Sequence, residues 1–78
     1  MEQRVMKVVE SCLPRDGIKV FLEADIMKDL GFDSLDMLML WSELEQEFGV
    51  AIQNEDLKGI KTVNDIVQNI NKLQEMER

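Results

Sequence analysis

Asp29-Leu30-Gly31-Phe32-Asp33-Ser34-Leu35-Asp36-Met37-Leu38 is the stretch whose reading decides the fold. One glycine, three acids and a serine lead into a run with apolar residues at helical spacing. Either Asp33 or Ser34 can serve as the N-cap, and Asp36 complements the positive helix end. The helix is predicted to run to about Phe48, where Gly49 ends it. At about 100° per residue, Met37, Leu40, Trp41, Leu44 and Phe48 gather on one side, which must face the core. Leu35, Leu38, Met39 and Ser42 gather opposite, with Asp36, Glu43, Glu45 and Glu47 around them. An apolar patch with an acidic rim on the wet side of a helix is a reasonable partner surface.

Upstream, Val5, Val8, Val9 and Cys12 stand at i, i+3, i+4 and i+7, so a first helix is predicted there, with Met1 and Leu13 extending its stripe. Pro14 and Asp16-Gly17 stop it. Residues 15–33 hold no single period, yet Ile18, Val20, Phe21, Leu22, Ile26, Leu30 and Phe32 are too apolar for a solvated loop. Val20-Phe21-Leu22 has strand propensity but no second strand to pair with. Asp25 can cap a turn through Ile26, Met27 and Lys28, ended by Gly31. The expectation is a long ordered connection with its apolar residues set into the core, and loops of that length tend to be functional.

Downstream, Val50 and Ile52 read as a short apolar connection, and Asn54 caps a brief turn closed at Gly59. A last helix is predicted from Thr62, with Asp65 three residues on as a weak capping box and Val63, Ile66, Val67, Ile70 and Leu73 as its core stripe. Residues 75–78 are expected to fray. The whole is an all-α bundle of three main helices plus one short helix, with a long ordered loop between the first and second helices. Residues 1–78 form a single domain on this reading.

The chain has 78 residues, one cysteine and no histidine, so neither an internal disulfide nor a zinc-finger-type metal site is expected. Cys12 reads as a small core residue. The formal charge is −7, and no Lys or Arg falls between positions 29 and 57. That region would repel nucleic acid and anionic membranes and attract basic protein surfaces. Without a long apolar run or signal-peptide pattern, a cytoplasmic protein is the expectation.

Ser34 taken alone is an ordinary N-cap. A hydrolase would need a base beside it, usually histidine, and the nearest upstream lysine is Lys28. A phosphate-binding loop would need more glycines and a lysine. A calcium loop begun at Asp29 would put Leu40 where a glutamate is required. No catalytic residue and no metal ligand is therefore assigned. A serine in a first helical turn does have free backbone N–H groups and the helix dipole to accommodate a covalently attached phosphate.

Asp29-Leu30-Gly31-Phe32-Asp33-Ser34-Leu35-Asp36, followed by Glu47-Phe48-Gly49-Val50 and Asn54-Glu55-Asp56, closely resembles the acyl carrier protein family. The resemblance extends over nearly the whole chain in length, acidity, helix order and loop placement. It implies that Ser34 receives 4′-phosphopantetheine from coenzyme A through a magnesium-dependent phosphopantetheinyl transferase. The carrier, not itself a catalyst, would then hold acyl groups as thioesters and present them to acyl-transferring and condensing enzymes of fatty-acid or polyketide type. By the same resemblance, Asp33 and Leu35 flank the attachment point and Asp36 continues the recognition face. Leu38, Met39, Glu43, Glu45 and Glu47 would meet partners with basic and apolar docking patches, and the carrier would act as a monomer. Phe32, Leu40, Trp41, Leu44, Ile52 and Ile60 are candidates for lining an acyl pocket, and each equally suits plain core packing.

The chain departs from carriers of housekeeping fatty acid synthesis at Met39 and Gln46, where acids are usual, and at Gln53, where proline is common. Trp41 is bulkier than the family's usual inner residue. A specialised pathway, with apolar partner contacts at Leu38 and Met39, is the reading that follows. A peptidyl or aminoacyl carrier shares the arm and the bundle, but Leu30-Gly31-Phe32-Asp33 favours the acyl branch. A helical interaction domain without any prosthetic group is the alternative of a different class.

Overall fold

The computed structural model describes residues 1–76, and Glu77 and Arg78, part of the stretch expected to fray, lie outside them. The order is α1 (Glu2–Ser11), α2 (Ser34–Phe48), α3 (Asn54–Leu57) and α4 (Val63–Met76). Among the described residues there is no strand; Asp25 and Thr62 form one isolated antiparallel bridge.

α1 turns Val5 and Val9 into the core, with Met6, Val8, Cys12 and Leu13 packed beside them. Met1 does not extend the stripe: it stands before the first helical turn and is exposed. The helix closes as the N–H groups of Cys12 and Leu13 donate back to Val9 and Glu10, and Pro14 prevents its continuation.

The connection 12–33 is ordered by specific bonds. Asp25 caps its own turn, its Oδ1 accepting from Met27 and Lys28 N–H at 2.9 and 2.8 Å. Three backbone bonds then tie the loop to the chain entering α4. Ile26 N–H donates to Lys61 O at 2.9 Å, while Val63 and Asn64 N–H donate to Ala24 and Leu22 at 3.1 and 2.8 Å. Between them these bonds satisfy backbone groups that burial would otherwise strand. Ala24, Ile26, Leu30 and Phe32 are buried, and Ile18, Val20 and Leu22 pack against them. Phe21 is the correction: the chain reverses there, Ala24 N–H donating to its carbonyl, and the ring is left 42% exposed.

α2 presents Leu40, Trp41, Leu44 and Phe48 to the core and stops at Gly49, whose φ of 65° is the left-handed conformation. α3 begins one residue after its cap position, which is Gln53 and not Asn54. There the Asp56 carboxylate accepts from Gln53 N–H at 2.9 Å. α4 opens on the expected Thr62–Asp65 box. Asp65 Oδ2 accepts from Lys61 and Thr62 N–H, and Asp65 N–H donates to the Thr62 hydroxyl. Its stripe of Val63, Ile66, Val67 and Ile70 completes the core against α1, α2 and the long connection.

Candidate functional site

The end of the long connection aims Ser34. Phe32 is buried and its N–H donates to Ile26 O at 3.1 Å, which fixes the chain one residue before the cap. Gly31 has φ +77°, a conformation L side chains rarely adopt. A Cβ there would meet Arg15 and Pro14 only at 3.8 and 4.0 Å, so it is the backbone angle that requires glycine.

Asp33, not Ser34, is the N-cap. Its Oδ1 accepts from Asp36 N–H at 2.8 Å, and Asp36 Oδ2 accepts from Asp33 N–H at 3.2 Å, a reciprocal capping box. The Asp36 N–H, foremost, holds the Asp33 carboxyl below the ordinary aspartate value. With that role filled, Ser34 becomes the first residue of α2, exposed, and its hydroxyl makes no hydrogen bond among the described residues. The residue with a free hydroxyl and the residue that caps the helix are thus neighbours rather than one and the same. On that observation the site fits a phosphate ester at Ser34: no hydrogen bond of the hydroxyl need be given up to form it.

The remaining candidates divide by face. Leu35, Leu38 and Met39 are 72%, 63% and 64% exposed, so a large apolar surface follows Ser34 along α2, with Glu43 also exposed. Asp36 is half-buried in the capping box. Glu45 is half-buried, its Oε2 accepting from Ile52 N–H at 2.8 Å. Glu47 pairs with Arg4 at 3.1 Å, and the same guanidinium lies 4.6 Å from the centroid of the Phe48 ring. Four of the five predicted recognition acids, Asp33, Asp36, Glu45 and Glu47, therefore have partners within the chain.

Phe32, Leu40, Trp41 and Leu44 are buried together, and Ile52 and Ile60 are half-buried against them. Trp41, 7% exposed, points inward and fills space in the core. Met27, 57% exposed in the turn before Gly31, was not singled out by periodicity. Its signal was its place in a capped turn between residues, Ile26 and Leu30, that are buried. Cys12 is half-buried and its thiol is pushed up, chiefly by burial, with the Ser11 hydroxyl opposing. Two grooves are lined mainly by polar side chains, one between α1 and α2 at Arg4, Lys7, Glu43 and Glu47, the other between α3 and α4. Neither reaches Ser34.

The family described as "Phosphopantetheine attachment site" matches residues 3–70, nearly the whole described chain. The chain belongs to the acyl carrier protein family. Two solved structures superpose on this carrier fold. One, a candidate acyl carrier protein from Mycobacterium tuberculosis, is 34% identical with a TM-score of 0.81, over 91% of this chain and 95% of its own. The other, an acyl carrier protein from Thermotoga maritima, is 28% identical with a TM-score of 0.77, over 97% of this chain and 88% of its own. The family implies a phosphopantetheine prosthetic group, and no helix among the described residues is long and apolar enough to cross a membrane.

Proposed function

We propose that Ser34 is the attachment point of 4′-phosphopantetheine and that residues 1–78 act as a single acyl carrier domain. The observation that carries this reading is the unengaged Ser34 hydroxyl, set in the first turn of α2 beside a cap supplied by Asp33. In the loading step the Ser34 Oγ–H bond breaks and an Oγ–P bond forms to the phosphopantetheine phosphate of coenzyme A. The nucleotide portion leaves, and a separate magnesium-dependent transferase handles the proton. When bound, the group supplies a thiol on a flexible arm, where acyl chains are held as thioesters.

This chain's own residues then do three things. Asp33 and Asp36 hold the first turn of α2 so that Oγ points to solvent. Leu35, Leu38 and Met39 offer transferase and synthase partners an apolar contact surface, and Glu43 adds an acidic contact for basic patches on fatty-acid or polyketide-type enzymes. Because Met39 stands where the resemblance to housekeeping carriers leads one to expect an acid, partner choice rests more on apolar contact, which fits a specialised pathway. The residues Phe32, Leu40, Leu44, Ile52 and Ile60 form the apolar interior that an acyl chain would enter, with Trp41 limiting its length.

The test is loading. Incubated with coenzyme A, magnesium and a promiscuous phosphopantetheinyl transferase, the protein should gain the mass of one phosphopantetheine, and Ser34→Ala should gain none. Well-folded protein that takes no label would instead leave a helical interaction domain working through the Leu35, Leu38 and Met39 face.

A further inference from the structure

The long connection folds its own start onto its end. Pro14 and Arg15 leave α1 and come back against Gly31, where Arg15 Nη2 and Pro14 Cγ lie 3.8 and 4.0 Å from the position a Cβ would take. Arg15 is exposed, and among the described residues its guanidinium has no hydrogen bond or ion pair; the pair found is Arg4 with Glu47. Ser34 follows Gly31 closely in the chain, at no more than about 11 Å of extended backbone.

The first turn of α2 has little left to offer an anion. Asp36 N–H donates to the Asp33 carboxylate at 2.8 Å, and Met37 N–H donates to the Asp33 carbonyl at 3.0 Å. Leu35 N–H adds to what Asp36 N–H does in holding the Asp33 carboxyl below its ordinary value. The donors that a helix start usually turns toward a phosphate are thus largely engaged by Asp33. Asp33 and Asp36 would also repel a phosphodiester on Ser34, which lies between them in the chain. No Lys or Arg follows from Asp29 to Leu57, so compensating charge has to come from upstream. Lys28, nearest in sequence, sits in the turn capped by Asp25. The cation that the fold lays on Gly31 is Arg15, whose planar fork matches phosphate oxygens in pairs where an ammonium is a point charge.

We propose that Arg15 is a positioning residue for the prosthetic group, its guanidinium pairing with the phosphodiester formed at Ser34. The proposal rests on the carrier reading and gives the arm a direction at its root. Drawn toward Gly31, the phosphate lies on the loop side of Ser34 and leaves the Leu35, Leu38 and Met39 face open to partners. An exposed side chain changes rotamer within nanoseconds, so the pair forms without moving the backbone.

Phosphorus NMR on the loaded protein tests the pair. The phosphodiester resonance should move between about 0.01 M and 1 M salt as screening breaks the pair. Arg15→Gln should hold it near its high-salt position throughout, Arg15→Lys should fall between, and Lys28→Gln should follow the wild type. Loading should also slow exchange of the wild-type Arg15 Nε–H by about two- to fivefold, as expected for an exposed pair. That measurement stands even if a variant does not fold. An Arg15→Gln resonance that matches the wild type at low salt overturns the proposal. So does an equal displacement by Lys28→Gln, which would mean net charge alone, or an Arg15 Nε–H that loading leaves unchanged. In each of those cases Ser34 carries the group and the carrier reading stands. A folded protein that takes no group at Ser34 overturns the carrier reading and this proposal with it, so the two failures are told apart.

Discussion

The two connections on either side of α2 are secured in different ways. Residues 12–33 form the longer one, and ordering that much backbone costs conformational entropy for every residue fixed. The cost is offset by four buried side chains, Ala24, Ile26, Leu30 and Phe32, and by three backbone bonds to the entrance of α4. Residues 50–60 are fewer, yet among the described residues they bury only Val50 fully and reach outside themselves through one bond, to Glu45. Length therefore does not determine which connection is firm. The firm one ends at Ser34, where a reacting hydroxyl must be aimed. The lightly held one only carries the chain from α2 to α4.

The comparison can be broken most directly by side-chain truncation. Ile26 is fully buried in the long connection, so Ile26→Ala should cost about 2–5 kcal/mol in urea unfolding. Ile52 is half-buried in the second connection, and Ile52→Ala should cost about 1 kcal/mol, in line with the smaller apolar area removed from water. Equal losses would show that both connections are built into the same cooperative core.

The helices were readable in the sequence because each carries a stripe at helical spacing and a chemical stop. Pro14 closes α1, Gly49 closes α2, and the Thr62–Asp65 pair opens α4. The outward face of Leu35, Leu38 and Met39 followed from the same arithmetic. The long connection was legible only as an apolar stretch without a period. Which of its residues would be buried depended on where the chain reversed, and Phe21 landed outside for that reason. The site was legible in its serine and not in its hydrogen bonds, since Asp33 and Ser34 are both good caps and only geometry assigns the role to Asp33. Glu45 read as a surface acid because periodicity places a side chain on a face. It says nothing of a backbone N–H that a later segment brings to it.

A smaller effect separates the connections by pH. Asp65 secures the entrance of α4, to which the long loop is bonded, and its carboxyl is held below the ordinary aspartate value first by Lys61 N–H and then by Thr62 N–H. Because the folded value is the lower one, the unfolded chain takes up the proton first as pH falls. The stabilisation is complete above the ordinary aspartate pKa of about 3.9 and is lost as pH drops below it through the folded value. Asp33 follows the same sign, through the Asp36 N–H. Asp65→Asn should lower stability by about 1 kcal/mol at neutral pH, flatten the acid fall of Tm, and speed exchange at Ile26 and Val63. The Asp56 and Ile60 amides of the second connection should be unmoved.

The smallest effect marks where the second connection begins. Arg4 donates to the Glu47 carboxylate and to the Glu47 carbonyl, both at 3.1 Å, and its guanidinium lies against Phe48. It thus fastens the last turn of α2 to α1 just before Gly49. The two partners are 54% and 45% exposed, so the pair is worth only about 0.2–1 kcal/mol. Arg4→Ala should lower Tm slightly, and Arg4→Lys should recover only part of that, since an ammonium keeps the charge but not the planar fork. Neither should change exchange at Asp56 or Ile60, because residues 50–60 lie beyond the fastened turn. If Arg4→Ala sped exchange there, the second connection would be secured through the end of α2. The contrast between the two connections would then rest on Arg4 as much as on Glu45.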